Sequence, residues 1–428
     1  MATRYLPSNP SLEHLKIEAK SLLVAFQSND AGAVARFLLH PRAQDAMKQE
    51  MKLADAQHVL AFEYAFESWR QLKEYVASDV AAVETAVLNE DAAALDEALR
   101  TDPQWRRRQE KWRGERRERD LLTYVATRGS IRLVDVLLGH GVQSQVDIPS
   151  VFYHCLQRRQ IEVADHLLKE CDVEIHHLQQ HLYQLTEDLN VEGVSWLLAH
   201  GANPDYRRAG IKWTPLHNCL HTYPTLNRNR QQISRLLVEA GADHDDNALY
   251  DLLAGRLDRL VERLDATPAL VHEYFDLRGG RDMEIERRGD YGGAPVSNTT
   301  LLHHCAEFGW LEEAELLLMR GADVNARARP TGDEVDTHTP IFHTLTTNNN
   351  ASWEVLNLLI DSGADVNIRA KVRIDKQLLE VTPMGYINQF PNRYWKADTT
   401  AGTASGSVLD TAPHLEVVEL LRRHGAQV

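Results

Sequence analysis

The sequence predicts an all-α fold of the repeat class. It reads as a solenoid of helix-turn-helix units with extended, partly β-hairpin fingers, preceded by a small helical module. Three observations predict this. A Leu-Leu pair followed by a glycine recurs at Leu137-Leu138…Gly141, Leu197-Leu198…Gly201-Ala202-Asn203, Leu236-Leu237…Gly241-Ala242-Asp243, Leu317-Leu318…Gly321-Ala322-Asp323, Leu358-Leu359…Gly363-Ala364-Asp365 and Leu420-Leu421…Gly425-Ala426. A second pattern opens units that close with that signature: Thr214-Pro215-Leu216-His217, Thr300-Leu301-Leu302-His303, Thr339-Pro340-Ile341-Phe342 and Thr382-Pro383-Met384-Gly385. Residues 1–79 lack both patterns yet keep the apolar spacing of helices.

In that first segment, Ser11 can cap a helix whose buried face is Leu12, Leu15, Ala19, Leu22, Leu23 and Phe26, and Asp30 can cap a second. A third helix is expected over Leu53 to Tyr64, and Ser68-x-x-Gln71 is a capping box that opens a fourth. From residue 80 to 428 the units follow one local logic. The opening Thr caps the first helix through its hydroxyl, and Pro occupies the first helical turn, where its missing N–H costs nothing. Gly then stops the second helix in the left-handed region, which is nearly free for Gly and disfavoured for other residues.

Two irregularities extend the count to about eight or nine units. Leu167-Leu168…Cys171-Asp172 falls midway between Gly141 and Gly201, so a cysteine stands where the turn glycine is expected. Leu88, Leu95, Leu99 and Pro103 match Leu253, Leu260, Leu264 and Pro268 at constant offset, which defines units ending in Asp102-Pro103 and Thr267-Pro268. The repeats are therefore expected to begin near Val83.

The Thr-Pro-Leu-His opening together with a period near 33 residues resembles the ankyrin repeat. The stretch Leu53-Ala54-Asp55-Ala56-Gln57…Ser68-Trp69…Leu72-Lys73 resembles the helical module that precedes ankyrin repeats in many bacterial proteins. Thr339-Pro340-Ile341-Phe342-His343 and Thr382-Pro383-Met384-Gly385-Tyr386 resemble the repeats that long fingers separate in those proteins. The resemblance implies no particular chemistry.

Composition narrows the class further. Of 428 residues, 43% are hydrophobic and 25% charged, as in a folded chain. No apolar signal core occurs in Met1 to Pro10 and no run is long enough to span a membrane, so a cytoplasmic protein is expected. The formal charge of −15 opposes binding to nucleic acid or anionic membrane. Cys155, Cys219 and Cys305 align with the small alanine that follows the repeat opening, so they are expected as reduced core fillers.

Unusual fingers are the first place to look for function, because long loops in compact arrays usually have a use. They fall near 104–119, 271–299, 322–338 and 364–381, with an insert at 391–413. The finger at 271–299 carries Arg278, Arg281, Asp282, Glu284, Glu286, Arg287, Arg288 and Tyr291. Asp336 and His338 end the next, Arg373 lies in the third, and Tyr386, Arg393, Tyr394 and Trp395 follow it. Three consecutive fingers should stand side by side as a wall. That wall could grip a protein or peptide, or its fingers could simply pair with one another. A second candidate is the basic stretch Trp105, Arg106, Arg107, Arg108, Lys111, Trp112 and Arg113, where tryptophans alternate with cations. It reads more readily as solvated surface, with Glu115 and Arg119 able to pair at i, i+4.

Metal and catalysis find little support. His217 and His221 share a helix face, but His217 is the histidine of the Thr-Pro-Leu-His opening, which suits an internal hydrogen bond. His176-His177 and His303-His304 are adjacent pairs that face different directions. No phosphate loop, zinc-protease helix or nucleophile elbow occurs. The expectation is a non-catalytic recognition scaffold, monomeric and without cofactor or metal, binding an unknown protein or peptide. The alternative is an enzyme acting on a small or carbohydrate-like substrate, with Asp282, Glu284, Glu286 or Asp336 and the base His338 meeting in a cleft between fingers.

Overall fold

A computed structural model describes residues 11–38, 51–64, 66–112, 115, 117–208, 213–221, 227–276, 296–330, 337–347, 350–374, 377–389, 394–396, 408–410 and 414–428. The chain is mostly helical and divides into two compact units, Met1–Val173 and Glu174–Val428.

The first unit begins with the helix Leu12–Gln27, packed on Ala31–Leu38 and Leu53–Glu63. Its start is set by the Ser11 hydroxyl, which accepts from the His14 amide, and the next helix by Asp30, which accepts from the Ala33 amide at 2.8 Å. Leu15, Ala19, Leu60, Ala61, Tyr64 and Leu72 form one small core, and Leu22, Ala33, Phe37, Met51, Ala56 and Val59 a second. The helix Trp69–Val76 opens with half of the expected capping box: Ser68 accepts from the Gln71 amide at 3.2 Å, while the Gln71 side chain accepts from Glu67, one residue earlier than the motif requires.

Helix pairs follow. Asp79–Leu88 packs on Ala92–Thr101, then a 3₁₀ turn at Pro103–Arg106 leads into a two-stranded bridge, Gln109–Glu110 with Arg119–Asp120. Leu121–Ala126 pairs with Ile131–Gly139, and Ile148–Gln157 with Ile161–Glu170. The last of these ends at Cys171 in an extended conformation (φ −107°), so the unit without its glycine also lacks the left-handed stop.

In the second unit Gln180–Glu187 pairs with Val191–Ala199, Pro215–His221 with Asn227–Glu239, and Ala248–Leu253 with Leu257–Ala266. A 3₁₀ turn at Pro268–His272 follows, and Phe275–Asp276 pairs with Ser297–Thr299. Both proline-ended segments thus close in the same way. Leu301–Phe308 packs on Leu311–Met319 and on Pro340–Thr344, which packs in turn on Trp353–Asp361. The hairpin Ala370–Ile374 and Gln377–Val381 leads to Pro383–Gln389, and Leu415–Arg423 is the last described helix.

The glycine stops behave as their sequence requires, with Gly141, Gly201, Gly241, Gly321, Gly363 and Gly425 all at φ between 74° and 93°. Just beyond them runs a polar ladder. Asn325 Nδ2 donates to the Gly363 carbonyl at 3.1 Å, and its Oδ1 accepts from the Asp365 amide at 2.8 Å. Asn367 repeats the arrangement on Gly425 at 3.1 Å and Gln427 at 2.7 Å. Each asparagine thereby satisfies a helix-end carbonyl and a loop amide of the following segment. Asn325→Ala and Asn367→Ala should each lower stability by roughly 1 kcal/mol, since two exposed neutral hydrogen bonds are traded for water. Urea unfolding of the two variants measures this, and an unchanged midpoint for both would mean that the ladder adds nothing net.

Candidate functional site

The bases of three fingers are joined by hydrogen bonds. Tyr274 donates its hydroxyl proton to the Arg327 carbonyl at 3.0 Å, and the Arg329 amide donates to the Asn298 carbonyl at 3.0 Å. The Arg329 guanidinium lies 4.1 Å from the Tyr274 ring centre. On the other side the Thr337 amide donates to the Lys371 carbonyl at 3.2 Å, and the Lys371 amide to the Thr337 hydroxyl at 3.1 Å. The Arg327 guanidinium braces both segments, donating to the carbonyls of Thr337 at 3.1 Å and Arg369 at 2.8 Å.

Alternation decides which way these segments face. Ala326, Ala328, Ala370 and Val372 are buried, while Arg327, Arg329 and Arg369 between and beside them are exposed. A period of two on a short extended segment sends successive side chains to opposite faces. These arginines are not among the residues expected from the sequence, although the run Ala326-Arg327-Ala328-Arg329 carries the signal.

Of the residues expected in this wall, Arg278, Arg281, Asp282, Glu284, Glu286, Arg287, Arg288, Tyr291, Asp336 and Arg393 lie outside the described residues. Arg373 sits in the strand Ala370–Ile374, and Tyr394 and Trp395 in the strand Tyr394–Lys396, which pairs with Val408–Asp410. Two residues need correction. His338 and Tyr386 are buried, at 0% and 1% exposure, and cannot meet a partner or serve an open cleft. His338 is held inward because its carbonyl accepts from the Ala328 amide at 2.7 Å, just before the chain enters the helix Pro340–Thr344. Tyr386 packs edge-on against Phe342, with ring centres 5.4 Å apart.

The basic stretch is corrected in the same sense. Trp105 and Trp112 are buried, and Trp112 stacks on Tyr124 at 4.4 Å and donates its indole N–H to the Arg119 carbonyl at 2.8 Å. Neither ring is available to a nucleic-acid base. Arg108 is paired with Asp79 at 2.7 Å and with Glu110, and lies over the Trp105 ring. The pairing of Glu115 with Arg119 is present at 3.8 Å, and Glu115 also meets Arg158 at 3.6 Å. Arg106 is half-buried, Arg107 and Lys111 are exposed, and Arg113 lies outside the described residues.

Histidines and cysteines serve the interior. His217 Nδ1 meets the Thr214 hydroxyl at 2.7 Å, closing the Thr-Pro-Leu-His turn on itself. All four thiols are free and buried, and burial pushes Cys155 up to about 12 and Cys219 up to about 11, which suppresses the thiolate. Among the described residues no group of three or more histidine, cysteine or carboxylate side chains is placed to hold a metal ion, and no helix is long and apolar enough to cross a membrane.

Compared with known proteins, residues 297–329 match the model of the ankyrin repeat. That span holds the strand Ser297–Thr299, the helix pair Leu301–Phe308 and Leu311–Met319, the Gly321 stop and the cross-braced Arg327 and Arg329. No curated protein matches the chain.

Proposed function

We propose that this chain is a non-catalytic recognition scaffold of ankyrin type that binds a protein or peptide through its fingers. The observation that carries the reading is the cross-bonded base of the three fingers, which presents Arg329 outward over the Tyr274 ring and leaves the side chain of Arg369, whose carbonyl Arg327 braces, exposed. A base tied by main-chain hydrogen bonds presents its side chains with little ordering cost on binding. The ankyrin match supports the module class, since it covers the unit from which one of those fingers projects.

The same reading assigns residues 1–79 to a helical module of the bacterial type and the helix pairs from residue 80 onward to ankyrin-type units. It makes the protein a cytoplasmic monomer. Recognition falls to the outward arginines and to the charged residues of 271–299, including Arg278, Arg281, Arg287 and Arg288. The basic stretch keeps Arg107 and Lys111 as a secondary contact.

Replacing Val271 to Thr299 by a short turn tests the assignment. Capture from a reduced cell lysate should retain a partner on the intact chain that the shortened chain, still folded by circular dichroism, does not hold. Equal retention by both forms would remove the finger at 271–299 from the binding face and leave recognition to Arg329 and Arg369 on the other two.

A further inference from the structure

The described interior contains a cluster of imidazoles that the recognition face does not use. His303 and His304 lie on the helix Leu301–Phe308, His338 immediately before the helix Pro340–Thr344, and His343 on it. All four are buried, with no more than 2% of any side chain exposed. Ring centres of His303, His338 and His343 lie 4.8 to 5.8 Å apart.

The hydrogen bonds of His303 and His304 favour neutral rings. His303 Nδ1 accepts from the Thr300 amide at 3.2 Å and lies 2.9 Å from the Thr300 hydroxyl, and its Nε2 faces the His338 carbonyl at 3.4 Å. Protonating Nδ1 would leave the Thr300 amide facing a second donor, with only the Thr300 hydroxyl placed to accept. His304 Nε2 meets the Thr299 hydroxyl at 3.2 Å, while its Nδ1 is buried without a hydrogen-bond partner. An imidazolium there would have one acceptor for two N–H groups.

We propose that His303, His304, His338 and His343 form an acid-released latch, which near neutral pH holds the finger bases at Thr299 and His338 against the helix Leu301–Phe308 and frees them in mild acid. The charged and titratable groups facing the cluster do not offset this. Glu307, on the same helix, accepts from His343 Nδ1 at 2.9 Å and favours charge on that ring, and it favours charge on His304 too, but less than burial and His343 oppose it. From Leu311–Met319 the buried Glu313 is turned to Arg228 and Gln231, at 3.2 and 2.9 Å. Arg230 lies over Phe308, the Cys305 thiol is buried and neutral, and Glu354 and Asp361 of the helix Trp353–Asp361 are exposed, as is Asp276.

Burial, reinforced by the neighbouring imidazoles, pushes His303 well below the ordinary histidine range, and burial lowers His304 to about 3. Both shifts are downward, so the opened state binds the extra protons. The latch is therefore at full strength above about pH 6.5 and weakens as pH falls below it. If these two rings regain ordinary behaviour on opening, the opening equilibrium rises about a hundredfold between about pH 7.5 and 5.5.

The latch needs no partner. Only its consequence, release of a bound protein in acid, rests on the finger reading, and the test is made on the full chain alone. Amide hydrogen exchange, corrected for intrinsic rates, is followed at the two pH values for Ala328 and Arg329, whose N–H groups bond the His338 and Asn298 carbonyls. The expected result is about a hundredfold faster opening at these amides, with the helix pair Leu121–Ala126 and Ile131–Gly139 as an unaffected reference. The double variant H303Q/H304Q keeps a capping side chain at the third helical position and should show less than about a threefold change. Acceleration absent from the wild type, or equal in the variant, overturns the proposal. Should the variant not fold, histidine ring resonances of the wild type decide. Rings that titrate near pH 6.5 while the amides stay protected, or that stay neutral with the amides protected at pH 5.5, reject the latch.

Discussion

Gly309→Ala is expected to destabilise the second unit by about 2–4 kcal/mol, well beyond the cost of the same change at the repeat glycines. Gly309 ends the helix Leu301–Phe308 at φ 67°, a left-handed conformation that costs an alanine about 1–2 kcal/mol. Space adds the remainder. A Cβ at this position would collide with the Ala351 carbonyl oxygen and press on the Ser352 hydroxyl at 3.3 Å, so the backbone leading into Trp353–Asp361 must move. Gly321 and Gly363 have φ values of 88° and 90° but nothing within 4 Å of an added Cβ, and should lose only the conformational part. Urea denaturation of Gly309→Ala against Gly321→Ala separates the two causes. Equal losses would show that the Ala351 contact relaxes freely.

That contrast marks what is legible in the sequence. Helix starts at Ser11 and Asp30 and the left-handed stops from Gly141 to Gly425 follow from local chemistry, because a cap or a stop depends on a few neighbouring residues. The constraint on Gly309 is not local, since it comes from the Ala351 carbonyl, more than a repeat further along the chain. The fingers divide along the same line. The spacing places them only as an expectation, whereas the burial of His338 goes with a contact across the chain, its carbonyl accepting from the Ala328 amide. Trp105 and Trp112 mislead in the sequence because a run of cations hides the side on which a short bridge buries its aromatic rings. The alternation at Ala326 to Arg329 is legible, yet the stronger charge pattern of 271–299 overshadows it.

Asp251 should be the most sensitive acidic position of the described chain. The two proline-ended segments each bury one carboxylate on the first helix of their pair, Glu84 in Asp79–Leu88 and Asp251 in Ala248–Leu253. Glu84 is satisfied by neutral groups, the hydroxyls of Tyr75 and Tyr124. Asp251 is instead held by cations: Arg256 at 2.9 Å, Arg259 at 3.5 Å and Arg263 at 2.5 Å. The hydrogen bond to Asp251 is the main cause that raises the Arg263 pKa, which makes the pair one electrostatic unit. Removing the carboxylate leaves the half-buried guanidinium of Arg256 without its counter-charge, and breaking a buried pair from one side costs about 3–5 kcal/mol. Asp251→Ala is therefore expected to lose that much stability. Asp246, which meets Arg259 at 3.0 Å and also pairs with Arg263, is exposed, so Asp246→Ala should cost no more than about 1 kcal/mol. Thermal and urea unfolding of both variants tests the distinction. If Asp251→Ala lost as little as Asp246→Ala, the arginines would have found solvent, and burial of the carboxylate would not be what holds this helix pair closed.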